Sequence, residues 1–471
     1  MARFFLASAL LFGSVFIVIV PPFQVADEIN HFFRAWQVSD GVFVGIRTLD
    51  NRLGGDLPIS VVKITEPFDS LRFDSHNKIK SNTIFNNLSV PLDAQSRQFK
   101  DFSNTAIYAP TAYLPQVVAI GIGKSLNLGP LSIFYFSRFL TLIFWLSMVY
   151  AALKIIPFKR DLLAALALLP SSLFINASAS GDVVTNACSF LLIALFVKLI
   201  VEKKQLTHRQ TFAYFTGIFA TTLLISLNKL AYFPIIFLIF LIPKERFKGW
   251  KNKAIVATIL IILNLSALAF WSTTVKPLYI KYEDYNAAFV RGQELKEGVE
   301  PSLQMAFILH NPLTFSKIAI LNLTKSFPRT VSHYVGKFGW EENYLPMHLI
   351  FILVLLVLIQ AINKDTVMVD SKKGPLSINA KFGFWSVGTL MTFSFTATMY
   401  AIWNPVGSSG IANLMGKYFV PIYPLFFLGM PHFDLSKNRI SRFLAQPKVL
   451  FGALWWVLIW SIFQVLARYY F

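Results

Sequence analysis

The sequence predicts an all-α polytopic membrane protein with about eleven transmembrane helices and two large extracytoplasmic loops. Three observations carry that prediction. Hydrophobic residues make up 55% of the 471 residues and charged residues 14%, against about 25% charged in soluble globular chains. Mean hydropathy is +0.56. The basic residues fall between apolar segments rather than in one patch. That distribution fits positive-inside loops and sets aside nucleic-acid binding, despite a net charge of +19. A single cysteine, Cys188, excludes an internal disulfide scaffold.

A helix needs about 20 apolar residues to cross roughly 30 Å of hydrocarbon. Windows of that size predict spans at about 3–20, 132–153, 162–180, 183–201, 211–227, 230–243, 254–273, 347–362, 383–402, 418–431 and 449–467. The first stops at Pro21-Pro22 and has no small-x-small cleavage site, so it reads as a retained helix rather than a signal peptide. Asn228-Lys229 interrupts the pair 211–227 and 230–243. The stretch from Tyr108 to Leu126 carries Pro110, Pro115, Gly121, Gly123 and Lys124 and reads as an interfacial helix.

Alternating the loops from a cytoplasmic N-terminus places about 21 of the 43 basic residues, and about 6 acids, in short cytoplasmic loops. The organisation is then an N-terminal membrane module (1–273) with its first outer loop at 21–131, a second outer loop (274–346), and C-terminal membrane helices (347–471). Long loops in a compact protein usually carry function.

Chemistry concentrates at the outer ends of the spans. After Pro21-Pro22, Asp27 stands where it can cap a helix carrying Glu28, His31 and Arg34; Asp27, His31 and Arg34 at i, i+4 and i+7 share one face, with Phe32, Phe33 and Trp36 mostly on another. The pattern reads as an amphipathic interfacial helix. A carboxylate there can accept a proton from an attacking hydroxyl, and cations can hold a departing phosphate. The plain alternative is a solvated helix with an acid–imidazole pair. Arg138, Asp182 and Lys229 lie in or beside spans, where charge is costly. On this topology all three face the same side as Asp27, as does Lys417, a further phosphate candidate. Trp340, in Phe338-Gly339-Trp340, is a candidate substrate contact or an interfacial anchor. No Walker, Rossmann or HExxH motif and no Cys/His metal cluster occurs.

These residues resemble a family of bacterial multispanning proteins, catalogued as a domain of unknown function and placed with the GT-C-type glycosyltransferases. The resemblance rests on Pro21-Pro22-Phe23-Gln24 with Asp27-Glu28, His31 and Arg34; Tyr108-x-Pro with Tyr113-Leu114-Pro115; Arg138; Leu169-Pro170, Ser178 and Asp182; Lys229 with Tyr232; Gly336 with Phe338-Gly339-Trp340; and Gly416-Lys417-Tyr418 before Pro421. Ala26 stands where the family usually has Pro, and Lys417 where it usually has Arg, which loses the bidentate fork. The overall plan is also similar to O-antigen-modifying, serotype-converting glucosyltransferases.

The resemblance implies an inner-membrane enzyme that moves a sugar, glucose among the options, from a polyprenyl-phosphate donor to a cell-surface glycan or lipid-linked acceptor on the periplasmic side. It implies Asp27 as catalytic base, Asp182 as a second acid, Glu28 as a catalytic neighbour, and His31 and Arg34 as substrate- or phosphate-binding residues that position Asp27 or the acceptor. Arg138, Lys229 and Lys417 would hold phosphate. No cofactor is predicted, and a divalent metal has no residue signature. The competing expectations are a flippase or secondary transporter, which should show paired inverted halves, and a non-catalytic glycan-assembly protein, which should tolerate substitution at Asp27.

Overall fold

The structure, a computed structural model, describes residues 1–290, 296–340, 343–364 and 376–471. The predicted cytoplasmic loop at 364–381 falls largely outside these residues. Among the described residues, six helices are long and apolar enough to cross a membrane: Ala2–Ile19, Pro130–Ile155, Asp182–Val201, His208–Asn228, Trp250–Leu278 and Pro447–Tyr469. The chain is a polytopic helical membrane protein.

The other five predicted spans are shorter, broken or more polar. The 162–180 stretch is two buried helices, Arg160–Ala167 and Pro170–Asn176. Pro170 cannot continue the first helix but fits the first turn of the second. The 230–243 stretch is a tightly wound 3₁₀ segment, Leu230–Leu241, with Pro234 inside it. Met347–Ile362 is apolar but has 16 residues. Ile378–Trp403 has 26 residues and is a single helix. The 418–431 stretch is a turn at Gly416–Phe419 and a six-residue helix, Tyr423–Leu428, bounded by prolines. Leu114–Ser125 is a 12-residue helix, about 18 Å at 1.5 Å per residue and too short to span. Leu114, Val118 and Ile122 form its exposed apolar stripe while Pro115, Ala119 and Gly123 pack inward.

Small residues let these elements approach closely, which is the main packing resource of helices in lipid. A Cβ on Gly13 would lie 2.8 Å from the Leu142 side chain, so the first helix lies hard against Pro130–Ile155. Residues 162–182, rich in Ala and Ser, are buried throughout.

The chain reversals gather at two ends. At one, Lys159 Nζ donates to Gln360 O at 2.7 Å, Arg246 to Lys204 O at 2.9 Å, and Gln360 to Ala445 O at 2.7 Å. At the other, Arg468 donates to Leu71 O at 2.6 Å, Arg47 to Tyr279 O at 3.2 Å, and Asn322 to Ser409 O at 3.1 Å. The second set draws together both long loops.

Among the described residues, those loops contain two small sheets that an all-α prediction leaves out. Ile46–Arg47, Leu53–Pro58 and Arg97–Asp101 form an antiparallel sheet in that spatial order, with Gly54 opposite Asp101. Lys337–Phe338 pairs with Asn343–Tyr344. The strands are two to six residues long and lack clean alternation, so sequence periodicity gives them no signal. The first sheet packs on the Glu28–Ser39 helix through Gln37, whose Nε2 donates to Gly54 O at 3.0 Å. A Cβ on Gly55 would come within 2.3 Å of that Nε2. The second loop clamps the same sheet: Tyr285 Oη donates to Asp101 Oδ1 at 2.8 Å and accepts from Leu53 N–H at 3.0 Å.

Cysteines introduced at Leu49 and Lys204, one at each end, are expected to react with an impermeant maleimide from opposite sides of a sealed vesicle. Cys188 is buried in its helix and should stay silent until the protein is denatured. Labelling of both positions from one side would refute the two-ended arrangement.

Candidate active site

The site begins where Pro21-Pro22 stops the first helix. The chain turns through Phe23 at φ 65° and Asp27 at φ 67° before the Glu28–Ser39 helix starts. Left-handed backbone at a non-glycine residue is disfavoured and persists where its surroundings fix it. Asp27 holds the N-cap position, yet its side chain makes no cap bond. Its Oδ2 instead accepts from Lys417 Nζ at 2.7 Å, across 390 residues of sequence. The helix that follows is not interfacial as expected. Phe32, Phe33 and Trp36 are fully buried, and Glu28, His31 and Arg34 are buried with them. It is a core helix roofed by the sheet.

Glu28 turns away from Asp27 into the protein. It forms a fully buried pair with Arg138, with Arg138 Nη2 at 2.6 Å and Nε at 2.8 Å, and it accepts the Ala179 N–H at 2.9 Å. The other Arg138 donors go to the carbonyls of Ile17, Val20 and Pro21. All five guanidinium N–H groups are therefore engaged. Arg138 has no N–H left over for a phosphate, and the Glu28 carboxylate is taken up by Arg138 and the Ala179 N–H. Arg34 is committed likewise. It donates to the carbonyls of Tyr108, Val42 and Phe43 and to Gln37 Oε1, fixing the loop after its helix. Trp340 packs against Phe73 and Arg72, ring centroids 5.0 Å apart in the first case, and does not line the cavities described next.

Asp182 opens the Asp182–Val201 helix and pairs with Lys229, just past the end of His208–Asn228. Lys229 and Lys417 sit over the same Tyr418 ring, at 4.7 and 5.1 Å. Tyr232 Oη donates to Tyr418 O at 2.9 Å and steadies that turn. Gly416 is required there, because a Cβ would meet Tyr334 N at 2.3 Å and Thr330 O at 2.4 Å. His31 completes the group. Its Nδ1 lies 2.9 Å from Tyr113 Oη, and a Cβ on Gly181 would touch both rings.

Two cavities meet at Asp182 and Lys417. The larger, about 440 Å³ of empty space including its opening, is lined among others by Val25, Ala26, Ser180, Asp182, Lys337 and Lys417. The smaller, about 150 Å³, is lined by Asp182, Thr185, Asn186, Lys229, Tyr232, Lys417 and Tyr418. Asp182 faces both. Asp27 lies one residue beyond Val25 and Ala26 and reaches the wall through Lys417. The structure thus brings Asp27, His31, Asp182, Lys229 and Lys417 together and leaves Glu28, Arg34, Arg138 and Trp340 outside. It adds Ser171, His333 and Lys337, which sequence reasoning missed; the spacing of four between His333 and Lys337, at the end of a helix, was the available signal.

Burial governs the protonation of these groups. Desolvation pushes the His31 imidazole down to about 4, against the pull of Asp182 and Asp27, and Lys417 and Lys229 push the same way as burial. For Lys417, burial favours the neutral amine, but Asp27, Tyr418 and Asp182 outweigh it and hold its pKa well above the ordinary lysine value. An ionised carboxylate beside a protonated lysine and a neutral imidazole is a constellation suited to proton transfer and to binding a polar or anionic substrate. Among the described residues, no group of three or more His, Cys, Asp or Glu side chains is placed to hold a metal ion.

The chain matches the model of the family described as Predicted membrane protein (DUF2142) over residues 10–426. It belongs to that family. No curated protein and no solved structure matches it.

Two outcomes follow for stability. Arg138→Leu strands Glu28 in a buried site and should destabilise the protein by about 3–5 kcal/mol, read as a large drop in thermal melting in detergent; the double variant with Glu28→Leu should recover much of the loss. His31 is held near 4 when folded and near 6.5 when unfolded. The unfolded state then binds more protons between those values, so stability is full above about pH 6.5 and falls toward pH 4, by up to about 1.4 kcal/mol per pH unit. His31→Asn should flatten that slope, and an unchanged slope would remove His31 as its source.

Proposed function

We propose that the protein is an inner-membrane glycosyltransferase of GT-C type that moves a sugar from a polyprenyl-phosphate donor to a cell-surface glycan such as O-antigen. The observation that carries this reading is the convergence of two lysine-paired carboxylates, Asp27–Lys417 and Asp182–Lys229, on a cavity at one end of the helical body. The two-ended arrangement fits eleven crossings if the broken 162–180 segment, the 3₁₀ segment and the short C-terminal elements each traverse the bilayer. The basic short loops then favour a cytoplasmic N-terminus, and with it a periplasmic cavity.

Asp27 acts as the base. It takes the proton of the acceptor hydroxyl as that oxygen bonds to C1 of the sugar. The C1–O bond to phosphate breaks from the opposite face, the electron pair leaves with the phosphate, and the configuration inverts. Lys417 pairs with Asp27 and orients it. Asp182, with Lys229, holds sugar hydroxyls or the acceptor across the junction of the two cavities. The lipid tail lies along the spans.

Sugar transfer in membrane vesicles tests this, with labelled polyprenyl-phosphate sugars as donors and host glycan as acceptor. Asp27→Asn, inserted at wild-type level, should lower transfer by about 100-fold or more. Equal transfer by both proteins would remove Asp27 as base and shift the role to Asp182. Absence of transfer with any donor, beside lipid movement across the bilayer, would favour a flippase instead.

A further inference from the structure

The helix that ends beside the cavity at Lys229 begins at His208. Its 21 residues make about 31 Å at 1.5 Å per residue, close to the depth of the hydrocarbon. Its start therefore lies at the other membrane surface. A second long helix, Trp250–Val275, starts next to it. Arg246 ties the two starts together: its Nη1 donates to Lys204 O at 2.9 Å and its Nη2 to Glu202 O. Phe215 and Phe247 meet across the same joint, with ring centroids 5.2 Å apart.

The corner so built is strongly basic. Residues 202–209 and 244–253 hold eight Lys and Arg against two acids, and neither helix has an acid in its first turn. Glu202, one of the two acids, is already paired with Lys198 at 2.7 Å. Lys203, Lys204, Arg209, Lys248 and Lys251 are exposed. Lys248 keeps its place at φ 61°, a conformation that glycine adopts more easily. The positive-inside pattern accounts for the sign of such loops but not for the aromatic rim of this one. Trp250 is 65% exposed and Phe212 74%. The Lys244 and Lys253 ammoniums lie 5.6 and 5.1 Å from the centre of the Trp250 ring. An exposed Trp where a helix enters the bilayer rests at headgroup depth. The lysines against its ring are then level with lipid phosphates.

We propose that this corner binds the headgroup of an anionic phospholipid. Lys203, Lys204, Arg209, Lys248 and Lys251 supply the charge, and Trp250 and Phe212 the apolar contact with the upper acyl chain. Cations and exposed rings in one corner, where two helices enter the bilayer, fit a lipid better than a free anion, which has nothing to place against the rings. Such a site needs no sugar transfer and stands or falls apart from it.

Lipid retention by the full-length protein tests this. The protein is equilibrated in micelles holding equal amounts of phosphatidylglycerol and phosphatidylcholine with the same acyl chains, then repurified, and the retained lipids are measured by mass spectrometry. The wild type should favour phosphatidylglycerol by about tenfold, and the preference should shrink in about 1 M salt, where charges are screened beyond about 3 Å. Lys248→Gln/Lys251→Gln and Lys203→Gln/Lys204→Gln should each lower it by about fivefold or more. Lys63→Gln/Lys80→Gln, an equal loss of exposed charge in the first outer loop, should leave it unchanged. Phosphatidylglycerol should also raise the melting temperature of the wild type more than that of the variant lacking all four corner lysines, as expected for a ligand of the folded state. The substituted side chains are exposed, so melting without added lipid should stay at the wild-type value; if one corner pair lowers it, the other pair carries the test. Equal retention of the two lipids by the wild type, a preference that survives loss of the four lysines, or an equal fall in the Lys63/Lys80 variant would overturn the site. Glycerol phosphate displacing phosphatidylglycerol at equal concentration would overturn the lipid assignment.

Discussion

The buried Arg138–Glu28 pair is the constraint on which the site depends. Taking two charges out of water costs several kcal/mol each, and the attraction repays this only when the remaining donors and acceptors are also satisfied. Here they are. Arg138 gathers three carbonyls left over at the end of the first helix, and Glu28 accepts a backbone N–H from the turn before Asp182. One ion pair thus ties the first helix end, the start of the Glu28–Ser39 helix and the 178–182 turn to the Pro130–Ile155 helix. Asp27 is the residue before Glu28, and Asp182 is three residues after Ala179. Asp182 at the cavity and Asp27 beside it are placed by a contact in which neither takes part.

The same logic explains why charged residues near the spans separate into two groups. Arg34 and Arg138 have planar forks with five donors, and each finds a ring of carbonyls where the chain reverses. Lys229 and Lys417 have compact heads, and each meets one carboxylate at or beside the cavity wall. Lys417 stands where the resemblance expects Arg, and its single contact with Asp27 shows what that exchange means locally: a point charge suffices to orient one carboxylate. The Gly416 turn, pressed against the Thr330 and Tyr334 backbone, brings that point charge across 390 residues of sequence.

The class of fold was legible in the sequence because apolar length and loop charge are one-dimensional signals. The six long helices lie where hydropathy puts them. The breaks were less legible. Leu169-Pro170 divides a predicted span, and prolines shorten the one near Tyr423, since a window average does not register a single missing N–H. The Glu28–Ser39 helix was found in sequence, but its amphipathic pattern suggested an interface. Its polar residues are satisfied by partners up to 151 residues away, such as Ala179 for Glu28, and no local pattern contains them. Asp27, His31, Asp182, Lys229 and Lys417 were nominated by their common position at the ends of the spans, a topological argument, and the structure brings those five together. Arg34 was nominated with Asp27 and His31 by a shared helix face, and Arg138 with Asp182 and Lys229 by its place beside a span; the same arguments thus also picked residues whose guanidinium groups are taken up by backbone carbonyls, Gln37 and Glu28. Trp340 was nominated by its motif, and its ring packs on Arg72 and Phe73 instead.

His333 illustrates the limit of charge as a guide. In sequence it is one of seven scattered histidines, beside a lysine that reads as loop. In the structure, two neighbours fix its tautomer and its burial removes its charge, so that what it presents is a neutral donor. Such a donor differs in kind from Lys229 and Lys417: it does not compete for a carboxylate, and it cannot be neutralised by one. Arg329 Nε donates to the His333 Nε2, and Tyr344 Oη lies 3.2 Å from the same nitrogen.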